Sequence, residues 1–211
     1  MTAHSAASTT LAVIAGGQGR RMGAPKHQLT VSGVPMLRHM AERLSWPGPT
    51  LLVLAADSTQ PFGGECFDRI IRDRGPGAGP LRGIATALED SPTTALISIP
   101  VDMPGLERPQ LTWLIDAINQ HPALNGLLLS RGPGIIEPFP AIFRAGASVI
   151  LRALLASGHL ALRGLAEHAQ FAAIPAPANW PASTWINLNE PKDLPGGIAT
   201  PVKSAKGSSP T

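Results

Sequence analysis

A single cysteine, Cys66, stands among 211 residues, so no intrachain disulfide can form. Flanked by Glu65 and Phe67, it reads as a small, partly buried filler, and no histidine is placed to serve a catalytic thiol. Charged residues make up only 15% and the net charge is +3, too little and too scattered for a nucleic-acid footprint. Aromatic residues are 4%, which argues against platforms that stack bases along a strand. No apolar run approaches the roughly 18 residues of a membrane span. Met1–Thr10 has no basic region followed by an apolar core, so it does not read as a secretory signal. Nucleic acid and membrane are therefore not expected partners, and the expected setting is reducing and cytoplasmic.

What is there is a large apolar fraction, 44%, on a chain long enough for one substantial core. Short buried-strand runs alternate with helical spacing. Leu11–Ala15, Thr50–Ala55, a run around Ile70 and Ile71, Thr94–Ile99 and Leu124–Leu129 read as strands. Pro35–Leu44, Pro80–Leu88 and Arg108–Asn119 read as helices between them. This β-loop-α repetition predicts an α/β fold, a Rossmann-like three-layer α/β/α arrangement around a mostly parallel sheet. Further on, 137–143 carries two prolines and reads as an edge strand or a covering segment. Ala145–Ala156 and Leu160–Ala169 read as helices, Phe171–Ile174 as a late strand, and Trp185–Leu194 as a strand, a turn and a short helical turn. One domain is expected over 11–194, with disordered residues at 1–10 and in a Gly, Pro, Ser and Lys-rich tail at 195–211.

The first strand runs into Gly16-Gly17-Gln18-Gly19-Arg20-Arg21-Met22-Gly23-Ala24-Pro25-Lys26. Glycines let backbone N–H groups turn toward a ligand, and the cations fix positive charge around them. That combination suits a phosphate chain. The spacing fits neither the dinucleotide fingerprint, which would need glycine at Met22, nor the P-loop, which needs Gly-Lys-Ser/Thr. In parallel sheets, ligands lie outside the carboxyl ends of the strands. The loops after Ala15, at Arg74–Gly79 and at Pro100–Pro104 leave such ends, so they are expected to converge on one site.

Asp102, between Pro100 and Pro104, reads either as a Mg2+ ligand beside a nucleotide phosphate or as a loop Asp capping backbone amides. Asp73 reads as a second strand-end carboxylate or as half of a surface pair with Arg74. Asn187 and Asn189, two apart on an expected strand, point the same way, toward a substrate or around a polar turn. The histidines at 4, 27, 39, 121, 159 and 168 have no metal-ligand spacing, and no Gly-x-Ser-x-Gly elbow occurs. What remains is phosphate chemistry with a metal and fixed charge, the division of labour of nucleotidyl or phosphoryl transfer.

The run Ile14-Ala15-Gly16-Gly17-x-Gly19-x-Arg21-Met22-Gly23-x-x-Lys26 resembles the signature of nucleotide-sugar-pyrophosphorylase-like nucleotidyltransferases. Gly79-Pro80-Leu81-Arg82-Gly83-Ile84, Val101-Asp102-Met103-Pro104 and Ile186-Asn187-Leu188-Asn189-Glu190-Pro191-Lys192-Asp193-Leu194 are similar to motifs of its molybdenum cofactor guanylyltransferase branch. The resemblance covers Leu11 to Leu194. It implies transfer of GMP from GTP to the phosphate of molybdenum-molybdopterin, with release of pyrophosphate. It places GTP contacts on Ile14, Ala15, Gly16, Gly17, Lys26, Asp73 and Asp102, and Mg2+ on Asp102. Lys26, Asp102 and Arg21 become the catalytic set, and Asn187 and Asn189 fall on the molybdopterin side. Proteins that supply molybdopterin and molybdoenzymes that accept the product are implied as partners.

Two departures bear on the base. The family often has Asn where this chain has Leu54, and the loop closing in Ala24-Pro25-Lys26 is one residue shorter than the common guanylyl form. A molybdopterin cytidylyltransferase, a sugar-phosphate nucleotidyltransferase of the same fold, or a weakened nucleotide- or cofactor-binding carrier are the alternatives.

Overall fold

The computed structural model describes residues 3–16, 29–31, 33–59, 61–75 and 79–188. Seven strands form one sheet in the order β5-β4-β1-β6-β8-β7-β9. These are β1 (Thr10–Ile14), β4 (Thr50–Leu54), β5 (Arg69–Arg72), β6 (Ala95–Pro100), β7 (Gly126–Ser130), β8 (Ile136–Arg144) and β9 (Phe171–Pro175). A two-stranded hairpin of β2 (Thr30–Val31) and β3 (Val34–Pro35) stands apart, turning at Gly33 with φ +81°. The neighbours β5-β4-β1-β6 are mutually parallel. Two antiparallel pairings through β8 restore that direction in β7, and β9 runs parallel to β7. So among the described strands of this sheet only β8 opposes the rest, and the expected mostly parallel α/β sheet is what forms.

β1 is buried at every position, and β4 and β6 at all but one terminal residue. A strand buried on both pleat faces needs an unbroken apolar run, which is how these segments read. The cover comes from α1 (Met36–Leu44), α2 (Gly79–Asp90), α3 (Arg108–Gln120) and α4 (Ala147–Ala156). α2 packs on α4, and the end of α1 meets the start of α3, where Arg108 Nε donates to Leu44 O at 2.9 Å.

Three expectations are corrected. First, β8 is central, between β6 and β7, despite Pro138 and Pro140. Its register with β7 jumps from Leu127↔Ile142 to Leu129↔Glu137. The prolines fall inside that bulge, where the ladder asks for no N–H donor. Second, the expected helix over Leu160–Ala169 is a 3-10 helix at Leu162–Glu167, and the expected strand from Trp185 is instead a 3-10 turn at Ala182–Trp185 followed by residues 186–188 outside any strand.

Third, residues 3–9 are built into the body. Ala6–Ser8 forms a 3-10 turn, and the His4 amide donates to Asn119 Oδ1 while Asn119 Nδ2 donates back to His4 O, both at 2.9 Å. Trp46 Nε1 donates to Thr9 O at 2.9 Å. Small polar composition hid this, because the segment is held by hydrogen bonds to distant residues rather than by an apolar pattern of its own.

Arg144, at the end of β8, is only 8% exposed. Its Nη1 donates to the carbonyls of His121, Pro122 and Leu124, and its Nη2 to that of Ile118. They lie in the last turn of α3, at its C-cap His121 and in the turn that follows, where helix polarity favours a cation. No carboxylate is among these acceptors. Arg144→Met should therefore remove the guanidinium's donors from the Pro122 and Leu124 carbonyls, leave the Ile118 and His121 carbonyls only their backbone donors, and lower stability by about 2 kcal/mol, read as a reduced urea midpoint at unchanged slope.

Candidate functional site

The chain passes from β1 to β4 to β5 on one side and returns through β6 on the other side of β1. The direction reverses between β1 and β6, and a crevice at the carboxyl ends is the expected ligand site. Val101 N donates to Ile14 O at 3.1 Å, and Ala15 N donates to Val53 O at 2.8 Å. The ladder thus continues through Ile14 and Ala15, and Gly16 is the residue that leaves it. A side chain on Gly16 would begin 3.5 Å from Ala55 N and 3.5 Å from Asp73 Oδ2.

Asp73 follows β5 and is anchored by its own amide, which donates to Leu54 O at 2.9 Å. Arg74 pairs instead with Glu89, Nη1 to Oε2 at 2.7 Å, and with Asp90. The carboxylate of Asp73 is thus turned into the crevice. Its other oxygen, Oδ1, faces Gly83 on α2, where a Cβ would stand 3.6 Å from it and 3.1 Å from Ile14 Cγ2. Oδ1 is buried and has no hydrogen-bond partner among the described residues. Burial pushes the Asp73 carboxyl up to about 6, and the Arg82 guanidinium nearby opposes that rise. Arg82 was not among the residues singled out from the sequence; its position four residues into the second glycine motif was the available signal.

Leu54, which replaces the family's usual Asn, is fully buried. Its side chain belongs to the core, and only its carbonyl serves the site, by holding Asp73. Asp102 sits in the turn after β6, partly exposed at the same carboxyl edge. Its carbonyl accepts from Leu188 N at 2.9 Å, and this bond ties the C-terminal segment to the site. Close packing supports the tie, since a side chain at Gly105 would collide with Ser183 O. Asn187, next to Leu188, is exposed. Gly16, Asp73, Asp102 and Asn187 are thus gathered at one edge of the sheet. Gly17, Arg21, Lys26 and Asn189 lie outside the described residues.

Among the described residues no cluster of three His, Cys, Asp or Glu could hold a metal. A partly exposed carboxylate such as Asp102 fits Mg2+, which keeps most of its shell as water and substrate phosphate, and does not fit zinc. No helix among the described residues is long and apolar enough to cross a membrane.

The MobA-like NTP transferase domain matches residues 11–172 of the chain. A probable molybdenum cofactor guanylyltransferase of Chloroflexus aggregans is 31% identical over 194 residues, covering 86% of this chain and 89% of that protein. The molybdenum cofactor guanylyltransferase of Cereibacter sphaeroides is 32% identical over 189 residues, covering 86% and 91%. Among solved structures, molybdopterin-guanine dinucleotide biosynthesis protein A of Archaeoglobus fulgidus superposes with a TM-score of 0.73 at 22% identity, covering 88% and 94%. The 2-C-methyl-D-erythritol 4-phosphate cytidylyltransferase of Thermus thermophilus superposes with a TM-score of 0.61 at 17% identity, covering 87% and 94%. These two structural likenesses concern the fold alone.

Proposed function

The chain belongs to the MobA-like NTP transferase family, and from that premise we propose that it transfers GMP from GTP to the phosphate of molybdenum-molybdopterin, releasing pyrophosphate and forming the guanine dinucleotide cofactor. The observation that carries the choice of base is the unpartnered Oδ1 of Asp73. A carboxylate only accepts hydrogen bonds. Guanine presents N1–H and the 2-amino group side by side, two donors for two oxygens. Cytosine presents one amino group beside acceptors, which would face the carboxylate lone pair to lone pair. Gly83 lets α2 pack closely here, since a Cβ would press on Ile14 Cγ2 at 3.1 Å and touch Asp73 Oδ1 at 3.6 Å.

In this reading Gly16 and Gly17 bring backbone close to the nucleotide, next to Ile14 and Ala15, and Arg21 neutralises the triphosphate. Asp102 would hold Mg2+, which supplies charge neutralisation at the reacting phosphate. Lys26 with the loop amides offsets charge on the departing pyrophosphate. The acceptor phosphate is already ionised and attacks the α-phosphorus in line, so no side chain has to remove a proton. Asn187 and Asn189 are assigned to binding of the acceptor. The acceptor enters from, and the product leaves to, proteins that handle molybdenum cofactor in the cytoplasm.

The test is pyrophosphate release by the purified protein with Mg2+, molybdenum-molybdopterin and each NTP. GTP should be the preferred donor; a preference for CTP would give the cytidylyl alternative, and nucleotide binding without turnover the carrier. Lys26→Ala should raise the KM for GTP and lower kcat/KM by about 10²-fold. A near-normal rate in that variant would remove Lys26 from the site.

A further inference from the structure

Three of the four tryptophans gather at the carboxyl edge on the β6–β7 side, away from Asp73. Trp113 on α3 meets Trp180 edge-on, with centroids 5.5 Å apart and planes at 82°. Trp180 stacks on Trp185, with centroids 5.7 Å apart and planes at 27°. The guanidinium of Arg131 lies 5.2 Å from the Trp185 ring centroid. Arg131 is the first residue after β7, and its Nε donates to Glu137 Oε1 at 2.6 Å. The Glu137 side chain is 14% exposed and the Arg131 side chain 45%. A partly buried carboxylate thus fixes an exposed, flat cation on an aromatic ladder, and the Nη1 of Arg131 carries no hydrogen bond to the described residues.

We propose that Arg131 is an acceptor-binding residue, the top rung on which the flat pterin ring of the second substrate stacks. The inference rests on the guanylyltransferase reading and names where its acceptor lies. Placement supports it. The Leu188–Asp102 hydrogen bond pins the 182–188 segment to the transfer centre. Trp185 is three residues before Leu188, hence within about 11 Å of it along the chain. The acceptor must put its phosphate beside Asp102 and extend its ring outward, on the side opposite the nucleotide. A guanidinium plane stacks heterocycles well, loses little freedom when already held, and offers charge to an anionic acceptor. A lysine there would give charge without a plane. Scarcity of aromatics in the sequence argued against stacking platforms; the fold makes one by concentrating three of the few there are.

The experiment compares wild type, Arg131→Gln and the double variant Arg131→Gln/Glu137→Gln, the last restoring a neutral pair so that no buried carboxylate is stranded. The probe is 6-hydroxymethylpterin monophosphate, read by quenching of tryptophan fluorescence, with GTP affinity and the melting temperature measured alongside. Both variants should bind the probe about 10-fold more weakly, and the KM for molybdenum-molybdopterin should rise similarly, with GTP affinity within 2-fold and, in the double variant, an unchanged melting temperature. Equal probe affinity in all three proteins overturns the platform. Arg131-dependent probe binding without GTP turnover would instead overturn the guanylyl reading and leave the platform standing.

Discussion

Asp102→Ala should abolish turnover, lowering kcat by at least about 10³-fold, while GTP binding measured without Mg2+ changes by no more than a few-fold. Asp102 is the carboxylate at the reversal point of the sheet, between the end of β1 and the segment that carries Asn187. Its backbone carbonyl, not its side chain, holds Leu188. The substitution keeps that bond, so the C-terminal segment stays in place and the melting temperature should hold. A loss of activity with an intact fold therefore reports charge at the transfer centre. Near-normal pyrophosphate release by Asp102→Ala would sink the assignment.

Asp73→Asn should lower kcat/KM for GTP by about 10²-fold and leave CTP use little changed, so that the base preference collapses. The amide keeps the shape but turns one acceptor into a donor facing guanine's donors. The same residue sets a pH response. Guanine binds the ionised carboxylate, so the KM for GTP should rise as pH falls through about 6, and the Asn variant should lose that inflection.

Stability moves the other way. The folded-state value, about 6, lies above the ordinary 3.8, so the folded protein holds this proton more tightly than the unfolded chain. The associated stability is complete below the ordinary value and is lost as pH rises through about 6. At pH 7.5 the half-buried carboxylate, whose Oδ1 has no hydrogen-bond partner among the described residues, is thus a liability in the free protein, and Asp73→Asn should stabilise it. With the effect discounted for the carboxylate's partial contact with solvent, about 1 kcal/mol and a rise of roughly 2–4 °C in melting temperature are expected. At pH 4 the two proteins should melt alike. A variant that is more stable yet poorer with GTP is what a binding site that sacrifices stability for recognition predicts.

The sequence by itself determined the strand-loop-helix rhythm, the glycine-rich basic loop after the first strand, and the carboxylates Asp73 and Asp102 at strand ends. Each of these is a local pattern. A buried parallel strand must be apolar along its length, and a loop that admits phosphate must be rich in glycine and positive charge, whatever lies elsewhere in the chain. Only the tertiary structure decided who meets whom. Asp73 could have paired with its neighbour Arg74; strand order instead set it between Gly16 and Gly83, and Arg74 against Glu89. β8 looked like an edge because of its prolines, and became central because a bulge absorbs them. Arg131 and Trp185 are 54 residues apart and carry no shared motif, yet β7 and the 182–185 turn end at the same edge. Periodicity reports the environment of one element at a time. Adjacency between elements depends on sheet order, register and the unpaired backbone groups each end must satisfy, and those are properties of the assembled chain.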